Sequence, residues 1–377
     1  MLRKFIISFV TIVILMFLII MLPASSNESI WQPEIRLGIL SGVNRVNLIF
    51  SQECVMVDAA TFQIIKKIPA NKIFSVSSNE IKNSVEFRSE NVFLKDLIVA
   101  INDKKYFGGI RIDKKNNSLT IINLAPVEEY LRGVVPNEMS PSFHTEALKA
   151  QAVAARSFTL KNRNRHKSEG YDLCTNNHCQ FFGGVDSVKN ITDKIILETR
   201  GEVLLSGGQI VDTNFHTDSG GMTESVAEVW GGYASHLQAV EELEKNTQHW
   251  TLEFSVADFS SRLGSDVGNL KEINLSPLQI GKSNYDRSIS GRVKFAKIIG
   301  SKKTLQLTGN ELRSKFSLPS TLFDVKISGG KIIFEGYGRG HGVGMSQNGA
   351  NAYAKNGWTY EKILSHYYIG TTLKKLY

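Results

Sequence analysis

One carboxylate, one cluster of sulfur and imidazole, and two glycine-rich stretches are the parts of this sequence whose residue types and spacing could do chemistry. Glu138 stands in "VVPNEMSPSFHTEALKAQAVAARSF" (134–158), in a proline-marked turn ahead of a run of small residues. A carboxylate there reads either as a group that settles the positive end of the following helix or as a proton donor. "CTNNHCQ" holds Cys174, His178 and Cys179, a donor set suited to Zn²⁺. Adjacent strand residues face opposite ways, so His178 and Cys179 can share an ion only in a turn. A disulfide between Cys174 and Cys179 and a solvent-facing His178 are the competing readings, and His166 is a candidate fourth ligand. "FHTDSGGMTE" and "GRGHGVGMSQ" carry His216, Ser219, Gly220, His341, Ser346 and Gln347. Neither stretch has the spacing of a phosphate-binding loop, and glycines also mark turns with positive φ. Arg156, an arginine among alanines, reads as a buried ion-pair partner or as a substrate contact.

The elements that must position these residues form an α+β chain. From about Ile35 to Ile122 short β-branched runs alternate with turns ("IRLGIL", "VNLIF", "GGIRI", "SLTIIN"), which predicts a β-rich region. Between Pro141 and Lys161 the apolar period changes: Leu148, Ala152, Ala155 and Thr159 share one stripe, which predicts a helix. Ser140 and Pro141 would supply its cap and first turn. Its alanines allow another backbone to come close, so the helix is expected to be central. "GEVLL", "QIVDTNFHT" and "VKISGGKIIFEGYG" read as strands, and a second helical pattern runs from about Asn348 to Tyr367. The segment 251–320 yields only "AKIIG" as a strand and "TGNELRSKF" as a short helix.

The chain has 377 residues and a formal charge of +8, which favours anionic surroundings: nucleic acid, lipid headgroups or cell wall. The start narrows that choice. After the basic "MLRK", an uncharged apolar run from Phe5 to Leu22 reads as an export segment. Its length exceeds the ~7–15 apolar residues of a cleaved signal and meets the ~17–25 of a membrane span. The reading therefore leans towards a transmembrane anchor, with a cleaved signal ending near Pro23–Ser26 as the alternative. With Arg3 and Lys4 inside, the chain would be a single-pass protein of the cell membrane with its bulk extracytoplasmic, and nucleic acid is not an expected partner. Three cysteines are too few for a disulfide scaffold.

Over roughly Ile121 to Tyr368 the sequence resembles the stage II sporulation protein D and amidase-enhancer family of bacterial cell-wall proteins. The resemblance rests on the Glu138 stretch, "CTNNHCQFFGG", "ETRGEVLL", "HTDSGGMTESVAEVWGG" and "GRGHGVGMSQNGANAYAKNGWTYEKILSHYY". It implies that Glu138 is the catalytic residue of a lytic transglycosylase, which cleaves peptidoglycan between N-acetylmuramic acid and N-acetylglucosamine. The muramic acid 6-hydroxyl is then the internal nucleophile, so one carboxyl group suffices. The resemblance further implies that the two glycine-rich stretches frame a glycan cleft, through His216, Ser219, Gly220, His341, Ser346 and Gln347; Arg156 is carried beside them as a substrate contact on the reading of its own surroundings, with the buried ion pair as the alternative. It also implies structural zinc at Cys174, His178 and Cys179, with no cofactor needed for catalysis. The expected partners are glycan strands stripped of stem peptides, a sporulation amidase and the amidase's membrane partner; a non-catalytic amidase enhancer is the alternative. The expected organisation is 1–26 anchor or signal, 27–120 β-rich region, and 121–377 catalytic domain. One tension accompanies Glu138: a helix N-terminus lowers a carboxylate pKa, whereas a general acid needs it raised. Burial against Val134, Val135, Met139 and Phe143 is expected to win.

Overall fold

A computed structural model describes residues 32–90, 97–245, 247–264 and 267–377. The apolar run Phe5–Leu22, read above as an anchor or signal, lies outside the described residues. Among these, no helix is long and apolar enough to cross a membrane.

Alternation of side chains builds the N-terminal half. Strand β1 (Glu34–Val43) is followed by β2 (Arg45–Phe50), β3 (Cys54–Asp58), β4 (Ile64–Ile68), β5 (Ile73–Ser77), β6 (Val85–Arg88), β7 (Ile98–Ile101), β8 (Lys104–Phe107), β9 (Gly109–Lys115) and β10 (Ser118–Pro126). In β2 every second residue, Val46, Leu48 and Phe50, is buried and those between are exposed, the pattern of a strand with one wet face. β2 belongs to a four-stranded sheet in the order β5-β2-β7-β8. A larger sheet runs in the order β11-β1-β10-β9-β6-β3-β4, where β11 is Leu173–Cys174. β10 pairs antiparallel with β1 from Glu34↔Pro126 to Val43↔Leu119. β11 lies parallel to β1, with Gly38 opposite Cys174. The expected boundary at 120/121 falls inside β10, and residues 32–377 group as one unit.

β10 runs directly into α1 (Val127–Glu138), followed by α2 (Thr145–Lys161). Helix α2 is central, as its alanines predict: Ala147, Leu148, Ala150, Ala152, Ala154 and Ala155 are fully buried. Its start differs from the expectation. The N-cap is His144, whose Nδ1 accepts from the Glu146 N–H at 3.3 Å, while Ser140 and Pro141 lie in the preceding turn. Around α2 pack α3 (Asn190–Glu198) and the C-terminal helices; the short α4 is Val226–Trp230.

The stretch that reads poorly in the sequence folds around an apolar core of its own. It contains α5 (Val256–Leu263) and α6 (Gly309–Phe316) against two three-stranded sheets. Phe259 and Phe316 stack at 4.6 Å, and Phe323 and Phe334 close the cluster. Both expected elements are present, as the strand Phe295–Gly300 and as α6, which a Thr308/Glu311 capping box starts. The single helix expected over Asn348–Tyr367 is two, α7 (Gln347–Lys355) and α8 (Tyr360–Tyr367). Gly357 stands between them at φ +81°, a left-handed residue just past a helix end, where glycine is favoured.

Candidate active site

Glu138 is the last residue of α1, so the pole beside it is the negative one. The tension seen in the sequence is thereby corrected: this helix end favours the neutral acid. Burial pushes the Glu138 pKa above its usual 4.5, and a hydrogen bond from the Phe181 N–H to Oε1 at 2.8 Å opposes the rise. The apolar cover is not the expected one. Val134, Val135 and Met139 point into the main core and Phe143 lines a different cavity; Phe158 and Phe215 line the cleft with Glu138 instead.

That cleft has a volume of about 740 Å³, and Glu138 is the only carboxylate among its described lining residues. His178 and Cys179 lie on its rim, and His216, His341 and Trp230 form another part of the wall. The second apolar core contributes Leu252, Arg313, Leu318 and Pro319.

The residues "CTNNHC" make a turn that satisfies the condition set by their spacing. The Asn176 side chain accepts from the His178 N–H at 3.0 Å, and the Asn176 carbonyl from the Cys179 N–H at 3.1 Å. One donor atom from each of His166, Cys174, His178 and Cys179 lies within 4.8 Å of the others. Cys179 Sγ is 3.5 Å from His166 Nε2 and 3.6 Å from His178 Nδ1, and Cys174 Sγ is 3.7 Å from His178 Nδ1. Zinc at about 2.3 Å from sulfur and about 2.0 Å from nitrogen has tetrahedral edges of roughly 3.3–3.8 Å, so the donor set fits. Both thiols are free of a disulfide. His166 turns its other nitrogen to Glu169 Oε1 at 2.5 Å, the carboxylate–histidine arrangement that fixes a ligand's ring. The turn is held in place on two sides. Asp172, just before Leu173, binds the Arg36 guanidinium at 2.8 Å. On the other side Phe182 packs on α1 at Gly133, where a Cβ would meet the Phe182 ring at 2.4 Å.

Parallel pairing of Phe215–His216 with Met345–Ser346 joins the two glycine-rich stretches. It brings His216 and His341 to a ring separation of 5.4 Å, with Trp230 at 4.9 Å from His341. Val343 accepts from His216 Nδ1 and donates to His341 Nδ1, each at 3.1 Å. Burial holds the His216 pKa well below its ordinary value and, aided by the charges of Arg313 and Arg292, brings that of His341 down to about 4. Both rings are therefore neutral at pH 7, and the buried His216 Nε2 has no partner within the described protein.

The other expected contacts lie away from the cleft. Ser219 is buried and its Oγ accepts from the Gly221 N–H. Gly220, at φ +80°, packs where a Cβ would strike Leu322 at 2.6 Å. Ser346 caps α7, and Gln347 donates to Gln151 at 3.3 Å. Arg156 is fully buried, with Nε and Nη2 each 2.8 Å from an oxygen of Glu128. It joins α2 to α1 and is no substrate contact, which corrects that expectation in favour of the ion-pair reading. Sequence reasoning did not name Trp230, Phe158, Phe215, Arg165, Arg313 or Arg339 as lining, although Phe158, Phe215, Trp230 and Arg339 all stand in the stretches singled out for their chemistry or for the family resemblance.

Comparison with known proteins gives a match to the family described as stage II sporulation protein over residues 115–205, and to a domain of unknown function over 233–344. Stage II sporulation protein D of Bacillus subtilis is 32% identical over 269 residues, covering 66% of this chain and 75% of the relative. An uncharacterised protein of Brachyspira hyodysenteriae is 30% identical over 301 residues, covering 78% and 77%. The amidase enhancer of Bacillus subtilis is 29% identical over 371 residues, covering 86% of this chain but 51% of the relative, so the chain spans about half that protein's length.

Proposed function

The chain belongs to the stage II sporulation protein D family, and on that premise we propose that it is a peptidoglycan lytic transglycosylase. It cuts the glycan strand between N-acetylmuramic acid and N-acetylglucosamine, on strands stripped of stem peptides. The observation that carries this reading is Glu138, the single carboxylate among the described lining residues of the cleft. Hydrolysis of a glycoside ordinarily takes two carboxyl groups about 5–10 Å apart. Attack by the strand's own 6-hydroxyl needs only one group, first the acid that protonates the leaving oxygen and then the base that accepts the hydroxyl proton. Burial favours the protonated form of Glu138 that the first step needs, and the Phe181 N–H favours the carboxylate that the second step needs.

We also place a zinc ion on His166, Cys174, His178 and Cys179. When bound, it supplies a fixed cross-link in the turn and no reactive oxygen or Lewis acid to the sugar. The chain's own residues then hold the Phe181 N–H against Glu138. Outside the described residues, the Phe5–Leu22 run would hold the protein at the cell membrane with residues 32–377 extracytoplasmic. Its partners there are an amidase that strips the strands and that amidase's membrane partner, in septal wall remodelling and engulfment.

Mass spectrometry of denuded glycan after incubation with the protein tests the reaction. Products ending in 1,6-anhydromuramic acid are expected; reducing ends would mean hydrolysis. The likeness to the amidase enhancer favours a second reading, a wall-binding protein that stimulates an amidase without cutting glycan. Glycan binding with no product would establish that second reading in place of the first.

A further inference from the structure

The match to a domain of unknown function, 233–344, takes in the second apolar core together with the "GRGHG" loop that follows it. Leu252, Arg313, Leu318, Pro319 and Arg339 from this span line the Glu138 cleft. Arg313 is set in place by a bond from Nε to the Leu318 carbonyl at 3.3 Å. Arg339 is held through its backbone, which exchanges bonds with Asp218 at 2.8 and 3.0 Å. Arg165 approaches the same cleft with its guanidinium 6.0 Å from the Phe158 ring. Among the described residues no carboxylate forms an ion pair with any of the three. After burial, the Arg339 charge is what depresses the Arg313 pKa, so two like charges face one another unneutralised.

Uncompensated guanidinium groups around a cleft call for an anion, and their planar forks match a carboxylate. A strand of neutral sugars offers none. In a peptidoglycan strand the glycan's own anion is the lactyl carboxylate of muramic acid, which is free only after the stem peptide is removed and is an amide otherwise. We propose that residues 233–344 form an anion-reading wall of the cleft, in which Arg313 and Arg339 bind the free lactyl carboxylate of a muramic acid and so select strands without stem peptides. This rests on the glycan-cleaving reading above and assigns a role to the module that the reaction itself does not require.

The test uses the full chain carrying Glu138→Gln, so that bound strands are not cut. Two ligands are titrated calorimetrically: an alternating N-acetylglucosamine/N-acetylmuramic acid tetrasaccharide with free lactyl carboxylates, and the same tetrasaccharide with these converted to methylamides. The acid form is expected to bind about tenfold or more tightly, with a preference that shrinks as salt rises. Adding Arg313→Gln and Arg339→Gln should bring the two affinities to within about twofold while leaving methylamide binding in place. Should that pair weaken methylamide binding, Arg313→Lys with Arg339→Lys decides: a retained preference supports the proposal and a lost one overturns it. Equal binding of the two saccharides by the Glu138→Gln chain, or a preference that survives the glutamine pair, sinks the anion-reading wall alone. Binding of neither saccharide removes the glycan reading as well.

Discussion

The Phe181 backbone N–H lies 2.8 Å from Oε1 of Glu138, which ties the candidate acid to the loop that presents His178 and Cys179. Two opposing influences therefore act on one carboxyl group. Burial favours its protonated form, and the N–H favours its ionised form, with burial the larger. A group that must give up a proton and then take one back needs both states within reach.

The raised Glu138 pKa has a consequence for folding that Glu138→Gln should reveal. With the folded pKa above the unfolded value, the folded protein binds more protons between the two, so stability falls as pH rises through that window. Glutamine cannot ionise and should lack this loss. Thermal unfolding of the two proteins should thus match best below the usual 4.5, with Glu138→Gln gaining relative stability as pH rises towards neutrality. A difference independent of pH would show that the carboxyl is not perturbed by burial. Glycan cleavage by Glu138→Gln should meanwhile fall ~10²-fold or more.

Metal removal should act on the same relationship. The purified protein is expected to carry about one equivalent of zinc, and Cys174→Ser or His166→Ala to lose both the metal and thermal stability, because metal binding contributes folding free energy. A chelator should lower the melting temperature of the parent protein and slow glycan cleavage as the 174–181 turn loosens. Stability that responds to reductant and not to chelator, with no metal present by elemental analysis, would assign Cys174 and Cys179 to a disulfide.

What could be read beforehand divides along physical lines. Signals local to the chain were legible: the alternation in β2, the alanines of α2, and the donors of "CTNNHC", whose short separation needed only a turn. His166 was legible as a candidate, though what draws it in is Tyr171 stacking on its ring at 5.0 Å and the bond to Glu169. The orientation of Glu138 was not legible. Pro136 suggested a turn, yet a proline close to a helix end leaves only the Arg132 carbonyl without its donor, so α1 continues through it. The cleft's far wall was illegible for another reason. Phe259, Phe316, Phe323 and Phe334 form one core although their spacing follows no helical or strand period, and Arg313 reaches the cleft only because that core holds α6 beside it. Ser219, Ser346 and Gln347 mislead because polar residues among glycines look available, while their bonds serve turns, a cap and a buried amide pair.

Arg156 offers a direct check of the reading that replaced substrate contact. Its removal leaves Glu128, 4% exposed, as a buried uncompensated charge, and breaking such a pair costs about 3–5 kcal/mol. Arg156→Met should accordingly lower stability by that order in denaturant unfolding. Arg156→Met with Glu128→Leu should recover part of it; Tyr377 and the Gly201 N–H, which also bond to Glu128, limit the recovery. Under conditions where the variant is still folded, glycan affinity should be unchanged. A weakened affinity without a stability loss would return Arg156 to the cleft.

Gly133 is the position where helix, loop and acid are coupled most tightly. An added Cβ would lie 2.4 and 2.7 Å from two atoms of the Phe182 ring and 3.1 Å from the Gly184 carbonyl. The ring has no free direction to yield, since Phe182 is packed against Tyr130 at 5.1 Å and Tyr106 at 6.1 Å. In an isolated helix Gly→Ala gains about 1 kcal/mol, whereas overpacking a core costs about 1–3 kcal/mol, so Gly133→Ala should be net destabilising. The more specific effect falls on the neighbouring residue. Displacing Phe182 carries the Phe181 N–H away from Glu138 and removes the influence that opposes burial, so the Glu138 pKa should rise further. The pH profile of glycan cleavage should then shift upward, with a lower maximum because the carboxylate needed in the second step is less well held. A Gly133→Ala protein with parental stability and an unshifted pH profile would mean that the loop is placed by the metal turn alone, and that the contact between Phe182 and α1 has no part in tuning the acid.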